Sequence, residues 1–249
     1  MQLNYTVKGH GKRNLILLHG WGGSLNSLAK LQQLLAETGE FRVYNIEWPG
    51  FGASVDNYME NSKFTDFKKI LSEFIKKNKI HKPTLIGHSF GGKVAIAIAL
   101  ENTRLIDRLI LINSSGLKPK NNTKRIILYT PTKIFGAIFS LPGLNKLKKI
   151  IRKYYYIRIV RERDYIDNDH LRSTLRNVLK VNFGEELKNI KTDTFLIWGE
   201  KDKYTPLWMG KKLKNLIPNS RLEIIKDAKH NLPLVNPELV TTLIKLYIN

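Results

Sequence analysis

Apolar positions along this chain recur at two spacings that take turns. Aliphatic runs at Leu3–Val7, Asn14–Leu18, Phe41–Ile46, Pro83–Gly87 and Leu105–Ile112 have the length and residue types of strands, and each runs into a glycine-containing turn. Between them the spacing becomes helical. Leu25, Leu28, Leu31, Leu34 and Leu35 mark one face of a helix over Ser24–Leu35, with Ser24 as its cap, and Phe67, Ile70, Leu71, Phe74 and Ile75 mark another over Phe64–Lys77. Gly91–Leu100 completes the set. Alternation then lapses until Thr194–Trp198 (strand), Pro206–Leu216 (helix), Arg221–Ile225 (strand) and Leu234–Ile248 (helix, with Pro237 in its first turns).

Near-continuous aliphatic strands separated by helices predict an α/β fold: a mostly parallel central sheet with helices on both faces. The interval without clean strands is expected to be a helical cap. The organisation predicted is a core of residues 1–116 and 192–249, with 117–191 inserted after the strand that ends near Asn113. There is no internal repeat.

Composition narrows the chemistry. With no cysteine among 249 residues, disulfides, thiol nucleophiles and cysteine-bound zinc are excluded, leaving hydroxyl, imidazole and carboxylate groups. The apolar run Leu15–Leu18 is far too short for a signal or membrane segment, which points to the cytoplasm. Net charge is +21, and the predicted cap carries eighteen Lys or Arg against six Asp or Glu. Two readings follow: a lid attracting an acidic carrier, an anionic surface or an anionic acyl substrate, or helices whose lysines merely solvate the outer face. The second is favoured, and no specific nucleic acid is expected. Phe135, Phe139, Leu141 and Tyr154 of the cap are candidates for the substrate pocket.

One segment resists explanation by packing. In Gly87-His88-Ser89-Phe90-Gly91-Gly92, glycines flank a serine where a predicted strand meets a predicted helix. A sharp strand-to-helix turn forces its apex residue into a strained conformation and demands small neighbours, and it leaves the apex side chain exposed at a helix N-terminus. Ser89 is therefore the candidate nucleophile. A serine hydroxyl needs a base oriented by an acid. Of six histidines, His230 lies in the loop after the last predicted strand, on the rim where Ser89 projects. Asp202, just past the preceding strand, has the reach to orient it; Glu200 and Asp227 are the fallbacks. The oxyanion hole would take the backbone amides of Phe90 and Trp21, the latter from His19-Gly20-Trp21-Gly22-Gly23. His19 is counted among the pocket residues as well, holding that loop together rather than acting as base.

These motifs, together with Pro49-Gly50-Phe51-Gly52 and Trp198-Gly199-Glu200-Lys201-Asp202, resemble the α/β-hydrolase superfamily. Within it the chain is most similar to small capped serine carboxylesterases such as pimeloyl-carrier methyl ester esterases, and to lactonases and perhydrolases. The resemblance implies a lid, an acyl-enzyme intermediate, no cofactor and no metal. Glu47 departs from it, since relatives usually carry aspartate before the Pro-Gly turn. The expected function is hydrolysis of carboxylic esters with small to medium acyl chains, and possible substrates include lactones. The alternative is a weakly catalytic or non-catalytic binding protein that docks nucleic acid, anionic membrane or an acidic carrier through the basic cap.

Overall fold

Successive side chains of the second strand point to opposite faces, and this alternation builds the two layers of the core. Leu15 and Leu17 join one apolar cluster with Val43, Ile86, Ile110 and Ile197, while Ile16 and Leu18 join the other with Ile46, Leu85, Leu109 and Leu196. Both faces of the sheet are therefore buried, which is why its strands read as unbroken aliphatic runs. Each fully buried Leu or Ile side chain contributes about 2 kcal/mol.

The computed structural model describes residues 3–57, 62–118 and 171–248. Its strands are β1 (Asn4–Lys8), β2 (Arg13–Leu18), β3 (Phe41–Glu47), β4 (Thr84–His88), β5 (Arg108–Ile112), β6 (Asp193–Gly199) and β7 (Ser220–Ile225). They form one sheet in the order β1-β3-β2-β4-β5-β6-β7. Every pairing is parallel except β1 with β3. Helices α1 (Ala29–Glu37), α2 (Phe64–Lys77), α3 (Phe90–Glu101), α4 (Arg172–Lys180), α5 (Leu207–Leu216), α6 (Leu232–Val235) and α7 (Pro237–Ile248) accompany it. α1 and α7 cover one face; α2, α3 and α5 cover the other. The predicted mostly parallel sheet with helices on both faces is the observed one.

Three elements differ from the sequence reading by more than one residue. The run assigned to Leu105–Ile112 enters the sheet only at Arg108, because the Arg104 amide donates to the Asn102 side chain and the Leu105 amide to the Asn102 carbonyl, closing a turn. The helix expected over Ser24–Leu35 opens with a tighter turn at Leu25–Leu28 before α1. The last helix is two. Pro237 pushes Asn236 out of the helical region, to φ −133° and ψ 53°, so α6 stops and α7 starts afresh.

β4 lies between β2 and β5, so the carboxyl ends of β2, β4, β5, β6 and β7 form one rim. The predicted insertion leaves that rim after β5. Its described ends are laced together: the Phe183 amide donates to the Gly116 carbonyl (3.1 Å) and the Lys118 amide to the Asn182 side chain (2.9 Å). Lys93 on α3 is buried, and its ammonium donates to the Val178 carbonyl in the last turn of α4 (2.8 Å). Burial lowers its pKa to about 8. Residues 119–170 of the predicted cap, among them Phe135, Phe139, Leu141 and Tyr154, lie outside the described residues. Among the described residues no helix is long and apolar enough to cross a membrane.

Candidate active site

The turn between β4 and α3 has the steric character its glycines predict. Ser89 sits at φ 50° and ψ −111°, a conformation that costs a non-glycine residue on the order of 1–3 kcal/mol. A Cβ on Gly87 would come within 2.5 Å of the Gly92 Cα, and one on Gly91 within 2.2 Å of the Leu18 carbonyl oxygen. One on Gly92 would meet the Ser114 hydroxyl at 2.2 Å. Strand, helix and the neighbouring rim are that close, so the hydroxyl has nowhere to point but outward.

His230 meets it. Its Nε2 lies 3.0 Å from Ser89 Oγ, and its Nδ1 lies 2.8 Å from Asp202 Oδ2. Asp202 is buried, and its carboxylate is held from several sides. Oδ1 accepts the amides of Tyr204 (2.8 Å) and Thr205 (3.0 Å); Oδ2 faces the imidazole and the Thr205 hydroxyl (2.7 Å). A carboxylate accepting from Nδ1–H leaves Nε2 unprotonated, directed at the serine. The fallback acids stand elsewhere. Glu200 accepts the Asp227 amide, and Asp227 pairs with Lys201, all three exposed. Asp202 is the carboxylate beside the imidazole.

The loop after β2 closes the other side. Gly20 packs so tightly that a Cβ there would sit 3.2 Å from that of Ser89. Trp21 stacks edge-on against both Phe90 and Phe51 (centroids 5.3 and 5.0 Å), which fixes the loop over the start of α3. The amide of Phe90 is the first in α3 and has no helical carbonyl behind it, so it remains available at the N-terminus. Glu47, the departure from the family pattern, is built into this region. It accepts the amide of Leu25 (3.0 Å) and the side chain of Asn4 (2.9 Å), and Gly52 lies against it where no Cβ would fit.

His19 corrects the sequence reading in part. It is fully buried and offers no surface to a pocket; it is a strut below the loop. Its Nε2 accepts the Trp48 amide (3.2 Å), so the ring proton sits on Nδ1 and is donated to the Gly20 carbonyl (2.7 Å). Burial lowers its pKa to about 4. His88 is a second buried neutral imidazole, lowered to about 3 first by burial and then by His230 beside it. Both should charge only when the chain unfolds. The unfolded state then binds more protons below about pH 6.5, and stability falls as pH drops from there toward 4 and 3. Each histidine is expected to cost about 1.4 kcal/mol per pH unit in that window. Urea unfolding at pH 7, 6 and 5 checks this above the range where carboxylates titrate. A constant midpoint would contradict neutral, buried rings.

Several residues at the site were not visible in sequence. Thr205 supports Asp202. Ser115 donates its amide to the Ser89 carbonyl (3.0 Å), and Asn113 ends β5 with all of its side-chain groups engaged. The available signal was a polar triplet, Asn113-Ser114-Ser115, closing an aliphatic strand, which reads equally well as an ordinary turn. Among the described residues no three His, Asp or Glu side chains converge as metal ligands.

Comparison with known proteins agrees with this fold. The family model of the alpha/beta hydrolase fold matches residues 13–132 and 149–237. An uncharacterised hydrolase, YugF, of Bacillus subtilis (strain 168) is 25% identical over 96% of this chain and 90% of its own length. A 2-hydroxy-6-oxononadienedioate/2-hydroxy-6-oxononatrienedioate hydrolase of Paraburkholderia phymatum is 25% identical over 92% of this chain and 85% of its own. Among solved structures, a bacterial membrane phospholipase A superposes with a TM-score of 0.76 at 19% identity, over 99% of this chain and 82% of that one. With the family model covering most of the chain, this protein is a hydrolase of the α/β-hydrolase fold family.

Proposed function

We propose that the protein hydrolyses carboxylic esters of small to medium acyl chain, lactones included, through an acyl-enzyme on Ser89. The observation that carries this reading is the continuous line Ser89 Oγ–His230 Nε2 (3.0 Å) and His230 Nδ1–Asp202 Oδ2 (2.8 Å) at the apex of a strained turn. As His230 takes the hydroxyl proton, Oγ bonds to the ester carbonyl carbon. The carbonyl oxygen gathers negative charge facing the amides of Phe90 and Trp21. The carbon–oxygen bond to the alcohol then breaks, and the alcohol leaves with the proton held on Nε2. Water, deprotonated by the same imidazole, attacks the acyl-serine and releases the acid.

A second reading comes from the relatives named as 2-hydroxy-6-oxononadienedioate hydrolases; the compound named carries no ester, so its hydrolysis would break a carbon–carbon bond. That leaving group is a carbanion, which the substrate must first ketonise to delocalise and which must then be protonated at carbon, whereas an alkoxide takes the proton held on His230 directly. The ester reading therefore asks for fewer steps of the same three side chains. A panel of p-nitrophenyl acetate, butyrate and octanoate, a lactone, and a 2-hydroxy-6-oxo-dienoate separates the two. Ester or lactone turnover well above that of Ser89→Ala is expected, and turnover of the dienoate alone would overturn the ester assignment. The expectation of an acidic carrier or anionic surface rests largely on cap residues outside those described, and this chemistry does not require it.

A further inference from the structure

The catalytic imidazole is held at its own backbone as well as at its ring. Two side chains donate to one oxygen, the carbonyl of His230: Asn113 Nδ2 at 2.7 Å and His88 Nε2 at 2.9 Å. Asn113 extends the grip. Its second Nδ2 hydrogen reaches the Lys229 carbonyl (2.9 Å), and its Oδ1 accepts the Gly199 amide (2.7 Å) at the end of β6, the strand that leads into Asp202. Its own carbonyl lies 2.9 Å from the Thr205 hydroxyl, the group beside the Asp202 carboxylate. One amide side chain thus ties the His230 loop to the Asp202 loop. It is fully buried and stands at φ 44°, a left-handed conformation that asparagine tolerates better than most residues.

His88 reaches the same oxygen from the residue before the nucleophile. Because it donates through Nε2, its proton is assigned there, and the ring stays neutral 4.9 Å from the imidazole of His230. A second cation at that distance would oppose the imidazolium that forms during turnover. Neither residue touches Ser89 Oγ or the space where an ester carbonyl would lie; both act on the base.

We infer that Asn113 and His88 are positioning residues, a two-donor clamp on the His230 carbonyl that sets the imidazole at hydrogen-bonding distance from both Ser89 and Asp202. Without the clamp the His230 carbonyl loses both side-chain donors, the remaining ties of that loop, such as the Lys201 amide on the Ala228 carbonyl, lie short of His230, and the reacting atoms drift. A shift of about 1 Å in such geometry costs on the order of 100-fold in rate. The inference rests on the ester-hydrolase reading and deepens it.

The test compares four proteins on p-nitrophenyl butyrate, normalised by active-site burst: wild type, His88→Leu, His88→Gln and Asn113→Ala, with Ser89→Ala as the blank. Leucine keeps the volume of His88 and removes its donor; glutamine places an amide N–H near the position of Nε2. The expected result is a kcat loss of about 10- to 100-fold for His88→Leu and Asn113→Ala at unchanged KM. His88→Gln should recover to within about threefold of wild type, a difference small against the clamp's expected loss. Should Asn113→Ala fail to fold, the His88 pair decides alone. Wild-type kcat in His88→Leu, or equal loss in leucine and glutamine, overturns the clamp. Wild type no faster than Ser89→Ala overturns the ester reading instead.

Discussion

Replacing Ser89 with alanine is expected to lower kcat for a p-nitrophenyl ester by about 10^4- to 10^6-fold while the fold stays intact. The magnitude follows from removing the one atom that, in the proposed mechanism, bonds to the substrate. The intact fold follows from what that atom touches, since its hydroxyl is directed at His230 Nε2 and carries no part of the turn's steric arrangement. Alanine keeps the φ of 50° and its strain, so melting should barely change. Glycine at this position should do the opposite of a damaging change. It relieves the left-handed strain and should raise stability by up to about 1 kcal/mol while leaving the enzyme equally inactive. A thermal melt of both variants alongside the ester assay checks the pair.

The second large effect is expected from Asp202→Asn, about 10^4-fold in kcat with KM little changed. Geometry dictates why such a small change matters. Oδ1 of Asp202 accepts two backbone amides, from Tyr204 and Thr205, so an asparagine would keep its carbonyl oxygen there. Its amide group would then replace Oδ2 and face His230 Nδ1. An NH2 can only donate, so Nδ1 must give up its proton and Nε2 must carry it, directed at Ser89. The base is blocked although no atom has moved. The opposite orientation would leave both amides facing an NH2, at a cost of about 1–3 kcal/mol for the buried amide of Thr205 alone. Loss of less than about tenfold would show that Asp202 does not set the tautomer.

Much of the fold was legible because both layers are read from single residues. Leu15 and Ile16 point to different faces, and this pattern recurs in every central strand, so the aliphatic runs could not be mistaken for loops. The triad was legible for a different reason. Ser89 betrays itself by the glycines its turn requires, and His230 and Asp202 follow at the ends of the next strands along one rim. What escaped was the support. Asn113, Thr205 and His88 act through hydrogen bonds to carbonyls and amides distant in sequence, and such partners leave no spacing signature. The antiparallel pairing of β1 with β3 was likewise hidden, because alternation in Asn4–Lys8 specifies a face and no neighbour. His19 was placed correctly in its loop, but its lack of exposure, which keeps it from the pocket, could be known only from the packing of Trp48 and Phe51 around it.

The central claim is that the hydroxyl of Ser89 is a nucleophile on demand, and its most direct test is covalent capture with an alkyl fluorophosphonate. Oγ bonds to phosphorus, fluoride departs, and the hydroxyl proton passes to His230. Intact mass should then show one adduct per chain, carried by the peptide containing Ser89, absent from Ser89→Ala and strongly slowed in Asp202→Asn. Labelling that persists undiminished in Ser89→Ala, or an active enzyme that takes no label at Ser89, would contradict the account.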